Sequence, residues 1–258
     1  MSADQLFLGI DSGTQGTKAI VFSATQKKVI SEGYASHDLI ENDEGKKEQE
    51  PSWWIEASTK AITKALEEVG SSKDVKAIGV SGQQHGMIPL DVEGHIIRPA
   101  KLWCDTETVP QCEEITQKVG GPEKVVDIIG NSIAAGFTAS KILWMKQNEP
   151  ENYQRLATVL LPHDYINYWL TGEKKTEYGD ASGTAYFDVK NRTWAPSILQ
   201  AIDDSGKLNG CLPELIESHA PIGTITPEIA KQFQLSPDVI VSSGGGDNMM
   251  GAIGTGNV

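Results

Sequence analysis

Two apolar stretches joined by a short glycine-bearing turn lie near the start of the chain, and they constrain its fold more than any other feature. The first stretch, residues 6–10, ends at Asp11, and the second, residues 17–22, is rich in β-branched residues. Apolar runs of this length flanked by Gly, Ser and Thr predict buried strands. Because the turn between them is too short to hold a helix, we expect a hairpin with Asp11 at its mouth.

The turn after Asp11 has features of a phosphate-binding loop. Gly13 and Gly16 let backbone amides approach an anion closely, and the Asp11 carboxylate could hold a magnesium ion. Neither G-x-G-x-x-G nor G-x-x-x-x-G-K-[ST] occurs, and a strand rather than a helix follows the turn. Taken alone, the turn favours a structural interpretation in which Asp11 and Ser12 only satisfy turn amides.

Charge and cysteine content limit the partners and the compartment. The net charge of −13 argues against a nucleic-acid or anionic-membrane partner, but it permits a phosphorylated ligand held by amides and a metal. Three cysteines without a C-x-x-C pair indicate free thiols in a reducing compartment. No apolar run could span a bilayer, and Met1 leads almost directly into the first strand, which leaves no room for a signal peptide. The sequence predicts a cytoplasmic protein.

The rest of the chain alternates strands with amphipathic helices. A third strand at residues 28–35 predicts an antiparallel meander, which parallel strands from Val75 and Val239 would extend. Residues 41–50 are acidic and are predicted to form a solvated loop. Helices are predicted at residues 51–69, 106–119, 123–129, 138–148, 163–170 and 227–233.

Polar residues follow the predicted strand from Val75 at the point where it ends. Gln83, Gln84 and His85 follow the strand from Val75, and α/β proteins place ligand-binding groups at such strand ends. Three hydrogen-bonding side chains together suit a ligand rich in hydroxyl groups, although a lone histidine is more often a satisfied core or loop residue.

Two aspartates, Asp11 and Asp247, each stand beside glycines at a strand end. Paired acids in this setting suit phosphoryl transfer, where one serves a metal and the other accepts the proton of an incoming hydroxyl. The absence of G-x-S-x-G and of a recognisable nucleophilic cysteine argues against acyl transfer. The absence of H-E-x-x-H argues against a zinc hydrolase.

Five segments taken in order resemble the FGGY family of carbohydrate kinases. They are residues 9–14, 82–86, 102–105, 136–148 and 244–248. The first resembles the family's phosphate-binding hairpin, and the second resembles the sugar-site signature of the members that act on xylulose. The fourth is similar to the family's first signature pattern, and the fifth contains the match to its catalytic base. The resemblance covers essentially the whole chain.

The resemblance implies a fold and a division of labour. The fold would be an α/β, ribonuclease-H-like domain of the actin-like ATPase type, with a mixed sheet and helices on both faces. Residues 1–258 would form the N-terminal of two similar domains and would carry the sugar site and the catalytic base. The C-terminal nucleotide domain, with the adenosine pocket and a second phosphate loop, is expected to be absent from this chain, so the chain alone is expected to lack full activity.

The implied activity is the ATP-dependent phosphorylation of a ketopentose with the help of Mg²⁺. D-xylulose, converted to D-xylulose 5-phosphate, is the first candidate. Another kinase of the family, acting on gluconate, ribulose or glycerol, is an alternative, as is a non-catalytic actin-like sugar-binding module. The implied partners are the sugar and ATP, without nucleic acid or membrane, and the full-length protein is compatible with a homodimer.

The resemblance also implies roles for single residues. Asp247 would accept the proton of the sugar's primary hydroxyl during in-line attack on the γ-phosphate, and Asp11 would act beside the magnesium. The residues that would cradle phosphate oxygens are Gly13, Thr14 and Gln15. The residues that would line the sugar pocket are Gln84, His85, Trp103, Asp105 and Asn248. Lys141 and Trp144 match a signature pattern but are interpreted as packing and surface-pairing residues.

Overall fold

The computed structural model describes residues 5–257, so residues 1–4 and 258 of the predicted domain lie outside the described residues. Within the described part, the strands are β1 (Leu6–Ser12), β2 (Gly16–Ser23), β3 (Lys28–Ser36), β4 (Ile40–Glu41), β5 (Lys47–Gln49), β6 (Val75–Gly82), β7 (Ile88–Leu90), β8 (Ala100–Lys101), β9 (Thr158–Leu160), β10 (Lys175–Glu177), β11 (Phe187–Asp188), β12 (Thr193–Trp194), β13 (Glu214–Ile216), β14 (Pro221–Thr224), β15 (Ile240–Ser242) and β16 (Gly245–Gly246). The α-helices are α1 (Pro51–Glu67), α2 (Val109–Val119), α3 (Pro122–Ile129), α4 (Thr138–Asn148), α5 (Pro150–Arg155), α6 (Pro162–Thr171), α7 (Tyr178–Ala181), α8 (Pro196–Ile202), α9 (Pro227–Phe233) and α10 (Asp247–Gly254).

A mixed sheet, seven-stranded over the described residues, forms the centre of the molecule. Its order is β14-β15-β6-β1-β2-β3, and β16 pairs with β6 after β15 ends. Strands β1, β2 and β3 form an antiparallel meander, whereas β6 and β15 run parallel to β1. The predicted meander and its extension by parallel strands are confirmed.

One face of the sheet carries the core that holds the strands in place. Strand residues alternate between the two faces, so Leu8, Ala19 and Val21 all point to the same side and are buried against α1. Helix α1 meets them with Ala61 and Ile62, and the small alanine lets the helix lie close to the sheet. Helices α6 and α9 pack on the same face. Burying a large aliphatic side chain such as that of Leu8 contributes roughly 1.5–3 kcal/mol to stability.

The opposite face of the sheet is far less covered. Phe7, Phe22, Val29 and Ile240 keep between 37% and 47% of their surface exposed on it. Helix α10 approaches this face at the end of the sheet, where Met250 lines a groove with Gly9 and Gly79. The predicted helices therefore occur on both faces, but in the described residues they cover them unevenly.

A helical layer between β6 and β14 forms a second core. Helices α2, α3, α4 and α8 bury Ile115, Ile129, Ile142 and Ile198 against one another. Helices α4 and α9 have the predicted bounds, because each carries a complete local signal of apolar periodicity followed by a stop. No helix in the described range is both long enough and apolar enough to cross a bilayer.

The prediction of a solvated loop at residues 41–50 is confirmed for the exposed turn at residues 42–44 and is wrong for residues 47–49. Strand β5 lies there and pairs with β4 and β8, and both Glu48 and Gln49 are buried. Glu48 is held by an ion pair of 2.5 Å with Arg98, which stands 50 residues further along the chain. A buried carboxylate needs such a partner, and the local acidic composition gives no sign of it.

Candidate active site

The pairing register brings three strand ends to one place. Asp11 on β1 is level with Ser81 on β6, and Ser81 is level with Gly245 on β16. Helix α10 begins two residues later at Asp247. Because β1 and β16 both run parallel to β6, Asp11 and Asp247 lie at the same end of the sheet. Backbone hydrogen bonds, rather than flexible loops, set their relative position.

The two carboxylates differ in their surroundings. Both side chains are exposed, and Ser81 Oγ donates a hydrogen bond of 2.9 Å to Asp11 Oδ1. Partial burial raises the pKa of Asp247 above its usual range, and the charges of Asp11 and Asp180 act in the same direction, against the Asn248 N–H that donates to Asp247 Oδ1 at 2.7 Å. A carboxylate with a raised pKa is a better proton acceptor.

The turn between β1 and β2 forms one wall of a depression of about 630 Å³ at this end of the sheet. The Gly13 N–H donates to Gly16 O at 3.1 Å and closes the turn. Thr14 O accepts from Gln49 Nε2 at 2.8 Å, so this carbonyl points into the protein. Since N–H and C=O point in opposite directions across a trans peptide, the Gln15 N–H points away from the side chain of Gln49. Anion binding by the amides of this turn stays a prediction.

Trp103 contacts this turn. Its indole is half exposed, and Nε1 donates to Thr14 Oγ1 at 3.0 Å. Trp103 lines the same depression as Asp11 and Gln15. An aromatic ring beside the predicted phosphate-binding turn offers an apolar face to a carbon chain.

Gln84 and Asn248 are joined by a hydrogen bond across the strand ends. Asn248 Nδ2 donates to Gln84 Oε1 at 3.1 Å, and Gln84 Nε2 donates to Asp180 Oδ1 at 3.4 Å. The side chain of Gln84 lies so close to Gly246 that a Cβ there would be 2.3 Å from Gln84 Nε2. The glycine before Asp247 is thus needed for the close approach of Gln84.

His85 stands on the same loop with a positive φ of 63°, which is rare for a residue other than glycine. Its ring packs against Phe137 at 4.6 Å between centroids and against Gly183, where a Cβ would lie 2.3 Å from Nδ1. Burial lowers the pKa of His85, and the opposing charge of Asp180 does not cancel this effect. The imidazole is therefore neutral near pH 7 and can both donate and accept a hydrogen bond.

Lys141 holds the backbone of the His85 loop. The side chain is fully buried, and Nζ donates to His85 O at 2.7 Å and to Gly136 O. The interpretation of Lys141 as a surface-pairing residue is therefore wrong, because its partners are carbonyl oxygens inside the protein. Trp144 is partly buried and packs under the ammonium of Lys101 at 4.1 Å, in agreement with a packing role.

Of the predicted sugar-site residues, Trp103 lines the depression, whereas Asp105 does not. Asp105 is fully buried, and Oδ2 accepts from Lys101 Nζ at 3.0 Å and from the Lys47 N–H at 2.9 Å. Its other oxygen, Oδ1, accepts from the Glu107 N–H at 3.1 Å. The expectation that Asp105 lines the sugar pocket is corrected by these contacts, because the buried Lys101 requires the carboxylate as a counter-charge.

A buried acid–base cluster behind Gln84 was not anticipated from the sequence. His163 Nδ1 lies 2.6 Å from Asp180 Oδ2, and His163 Nε2 lies 3.3 Å from Asp164 Oδ1. Burial alone would lower the pKa of His163, but the two carboxylates outweigh it and raise the pKa to about 9. The available signal was Asp180 within a run of small residues, which resembles the surroundings of Asp11 and Asp247.

Comparisons with known proteins identify relatives of this chain. A model of the N-terminal domain of the FGGY family of carbohydrate kinases matches residues 6–254. A xylulose kinase of Haemophilus influenzae is 48% identical over 258 residues, which cover 98% of this chain and 52% of the relative. A xylulose kinase of Bacillus subtilis is 37% identical over 250 residues, which cover 96% of this chain and 49% of the relative.

Solved structures show the same fold. The crystal structure of a xylulose kinase from Rhodospirillum rubrum matches with a TM-score of 0.91 at 23% identity, covering 98% of this chain and 51% of that one. The predicted actin-like fold is confirmed by this match. The chain spans about half the length of the curated relatives it matches.

Proposed function

The chain belongs to the FGGY family of carbohydrate kinases, and on that premise we propose that it carries the sugar site and the proton acceptor of a D-xylulose kinase. The observation that carries the proposal is the convergence of Asp11, Asp247 and the loop at Gln84 on one end of the sheet. Residues 1–258 act in this proposal as the N-terminal of two domains. The polypeptide that corresponds to the second half of the relatives holds the adenosine of ATP.

Asp247 is the proposed proton acceptor. A sugar hydroxyl has a pKa far above 7, so its proton must leave as the bond between oxygen and phosphorus forms. Asp247 Oδ1 is occupied by the Asn248 N–H, which leaves Oδ2 as the proposed acceptor. The raised pKa of this carboxylate favours the transfer. Since phosphoryl transfer depends mainly on positioning and charge, the register of β6 with β1 and β16 is the main contribution of this half of the enzyme.

Asp11 and the turn after it are the proposed site for phosphate and Mg²⁺. The carboxylate is exposed, is oriented by Ser81, and supplies the oxygen ligand that Mg²⁺ prefers. The charge of Asp11 contributes, after burial, to the raised pKa of Asp247, and a cation at Asp11 would relieve this repulsion. A bound Mg²⁺ would neutralise charge on the phosphoryl group. Amides in the turn containing Gly13, Thr14 and Gln15 would bind phosphate oxygens.

The sugar is proposed to lie between Trp103 and the loop after β6. The neutral imidazole of His85 and the amides of Gln84 and Asn248 supply donors and acceptors for hydroxyl groups. The indole of Trp103 covers the carbon chain and points the sugar towards the turn that binds phosphate. Asp105 has no direct contact with the sugar in this proposal.

We also propose a cytoplasmic location, because the reaction consumes ATP and because Cys104, Cys112 and Cys211 are free thiols. Homodimerisation stays a prediction.

Calorimetry on the 258-residue chain tests the choice of sugar. We expect D-xylulose to bind more tightly than D-ribulose, gluconate or glycerol, and Trp103→Ala to weaken its binding about tenfold through loss of the apolar wall. Val92→Ala is the control, since Val92 is 80% exposed on a turn outside the site. Tighter binding of another compound, or no binding by any, contradicts the assignment.

A further inference from the structure

A chain of hydrogen bonds leads from the protein interior to the proposed sugar site. It runs from His163 Nδ1 to Asp180 Oδ2 at 2.6 Å, from Gln84 Nε2 to Asp180 Oδ1 at 3.4 Å, and from Asn248 Nδ2 to Gln84 Oε1 at 3.1 Å. Its inner end is fully buried at His163 and Asp180, and its outer end, Asn248, is exposed. These hydrogen bonds therefore connect the buried interior to a residue at the proposed sugar site.

The inner end of this chain fixes the direction of every hydrogen bond in it. An ionised carboxylate only accepts hydrogen bonds, so Asp180 requires the NH₂ group of Gln84 to point inwards. The carbonyl of Gln84 then points outwards and requires the NH₂ group of Asn248. Asn248 is left with its carbonyl oxygen Oδ1 for the hydroxyl groups of the sugar.

The carboxylate and the backbone of Asp180 are each held in place by a buried partner. The charged His163 binds one of its oxygens, and the Asp180 N–H donates to Glu177 Oε1 at 2.5 Å. A buried carboxylate is stable only with such partners. Gln84 is confined by Gly246, against which its side chain lies. Neither member of the pair is free to turn away.

We propose that Asp180 is a positioning residue of the sugar site, which fixes the hydrogen-bond direction of Gln84 and Asn248 so that Asn248 presents an acceptor to the sugar. This inference rests on the proposed function. Asp180 does not touch the sugar in it and acts through Gln84.

Exchanging the acid and the amide tests the inference. In Asp180→Asn, the charge of Asp164 still favours the protonated form of His163, so the introduced carbonyl accepts from His163 Nδ1. The introduced NH₂ group then faces the NH₂ group of Gln84 and forces it to flip. We expect D-xylulose affinity to fall about tenfold, because a polar group at the site loses its partner. Gln84→Glu places two carboxylates 3.4 Å apart and should also lower affinity.

The double variant, which combines Asp180→Asn with Gln84→Glu, restores the original direction. The amide introduced at position 180 donates its NH₂ group to the carboxylate introduced at position 84. That carboxylate accepts from Asn248, as the carbonyl of Gln84 does in the original chain, and the total charge is unchanged. We expect D-xylulose affinity within about threefold of wild type by calorimetry. Asp127→Asn on the exposed face of α3 is the matched control and should leave affinity unchanged.

A second measurement does not depend on sugar binding. The side-chain amide resonances of Asn248 should move in Asp180→Asn and return in the double variant. Unchanged affinity and unchanged Asn248 resonances in Asp180→Asn overturn the inference, as does a double variant no better than the single ones. If the wild-type chain binds none of the sugars, the proposed function fails and the Asn248 resonances alone decide the inference. If Asp180→Asn does not fold, recovery in the double variant relative to Gln84→Glu decides it.

Discussion

Two groups of acidic residues, one at the sheet end and one around Lys101, differ in whether their carboxylate oxygens form ion pairs with a cation of the protein. At the sheet end, Asp11 and Asp247 are exposed, and the pKa of Asp247 is raised. In the second group, defined here as the Lys101 cluster, the side chains of Lys101, Asp105 and Glu48 are at most 1% exposed and are paired with one another. The same side-chain type is thus exposed in one place and buried in ion pairs in the other.

The difference lies in the nearest cation. Lys101 Nζ contacts three carboxylates, those of Glu48, Asp105 and Glu107, which together have the arrangement of a metal site. The ammonium occupies the place that a metal would take. At the sheet end no described Lys or Arg forms an ion pair with Asp11 or Asp247, so these oxygens can serve a ligand. A carboxylate in a motif is therefore a candidate for chemistry only where no Lys or Arg of the protein forms an ion pair with it.

The largest effect is expected from Asp247→Asn, and it is an effect on turnover. An amide cannot accept the proton at working pH, so turnover should fall about 10²–10⁴-fold while D-xylulose affinity changes little. Turnover is measured by a coupled ADP assay in a polypeptide that spans the full length of the relatives, and affinity by calorimetry.

His85→Ala is the paired control for Asp247→Asn. It should weaken sugar binding more than it slows turnover, because the contacts of His85 exist before the reaction. Retention of most of the turnover by Asp247→Asn would show that Asp247 is not the base and that the two groups of acids do not differ in the way described.

The next effect concerns the Lys101 cluster and is an effect on stability. Lys101→Met leaves Asp105 and Glu107 without their shared cation, while Glu48 keeps Arg98, and the free energy of unfolding should fall by about 3–5 kcal/mol. Lys18→Met is the control, because the ion pair of Lys18 with Glu32 is exposed and should contribute little to stability. Urea denaturation of both variants gives the comparison. Equal stability of the two variants would break it.

The smallest effect is a shift in the titration of Asp247. In the metal-free chain, its carboxyl carbon, followed by NMR, should titrate above the usual range for Asp. Asp11→Asn removes one of the charges that raise the pKa, so the midpoint should move down, whereas Asp238→Asn, at an exposed position, should not move it. Because Asp247 must be ionised to accept a proton, the activity of the wild-type enzyme should fall as pH falls through this midpoint. A midpoint that does not respond to Asp11→Asn would mean that the two acids are not coupled.

The sequence predicted the features that depend on local signals. The hairpin of β1 and β2, the third strand and helices α4 and α9 each carry their own periodicity and boundaries. The meeting of Asp11 and Asp247 followed from a general property of parallel strands, whose carboxyl ends lie at one edge.

What the sequence did not predict depends on partners far along the chain. Arg98 reaches Glu48 across 50 positions, Lys141 reaches His85 across 56, and Gln84 reaches Asp180 across 96. Nothing local to Asp105 shows that Lys101 will be buried beside it, since Lys is rarely buried. The errors on residues 47–49 and Lys141 share the cause of a distant partner, whereas the error on Asp105 comes from the unexpected burial of Lys101, four residues before it.

The common partner strand of β1 and β16 has an evolutionary consequence. The spacing of Asp11 and Asp247 is inherited through backbone pairing with β6, which does not depend on side-chain identity. Gln84, His85 and Trp103 stand outside the strands. A lineage can therefore change its sugar by point mutation in the loops while the reaction geometry is passed on intact. A one-residue insertion within β6, by contrast, would shift the position of Asp11 relative to Asp247. The proposed reaction would then be lost although neither aspartate is altered.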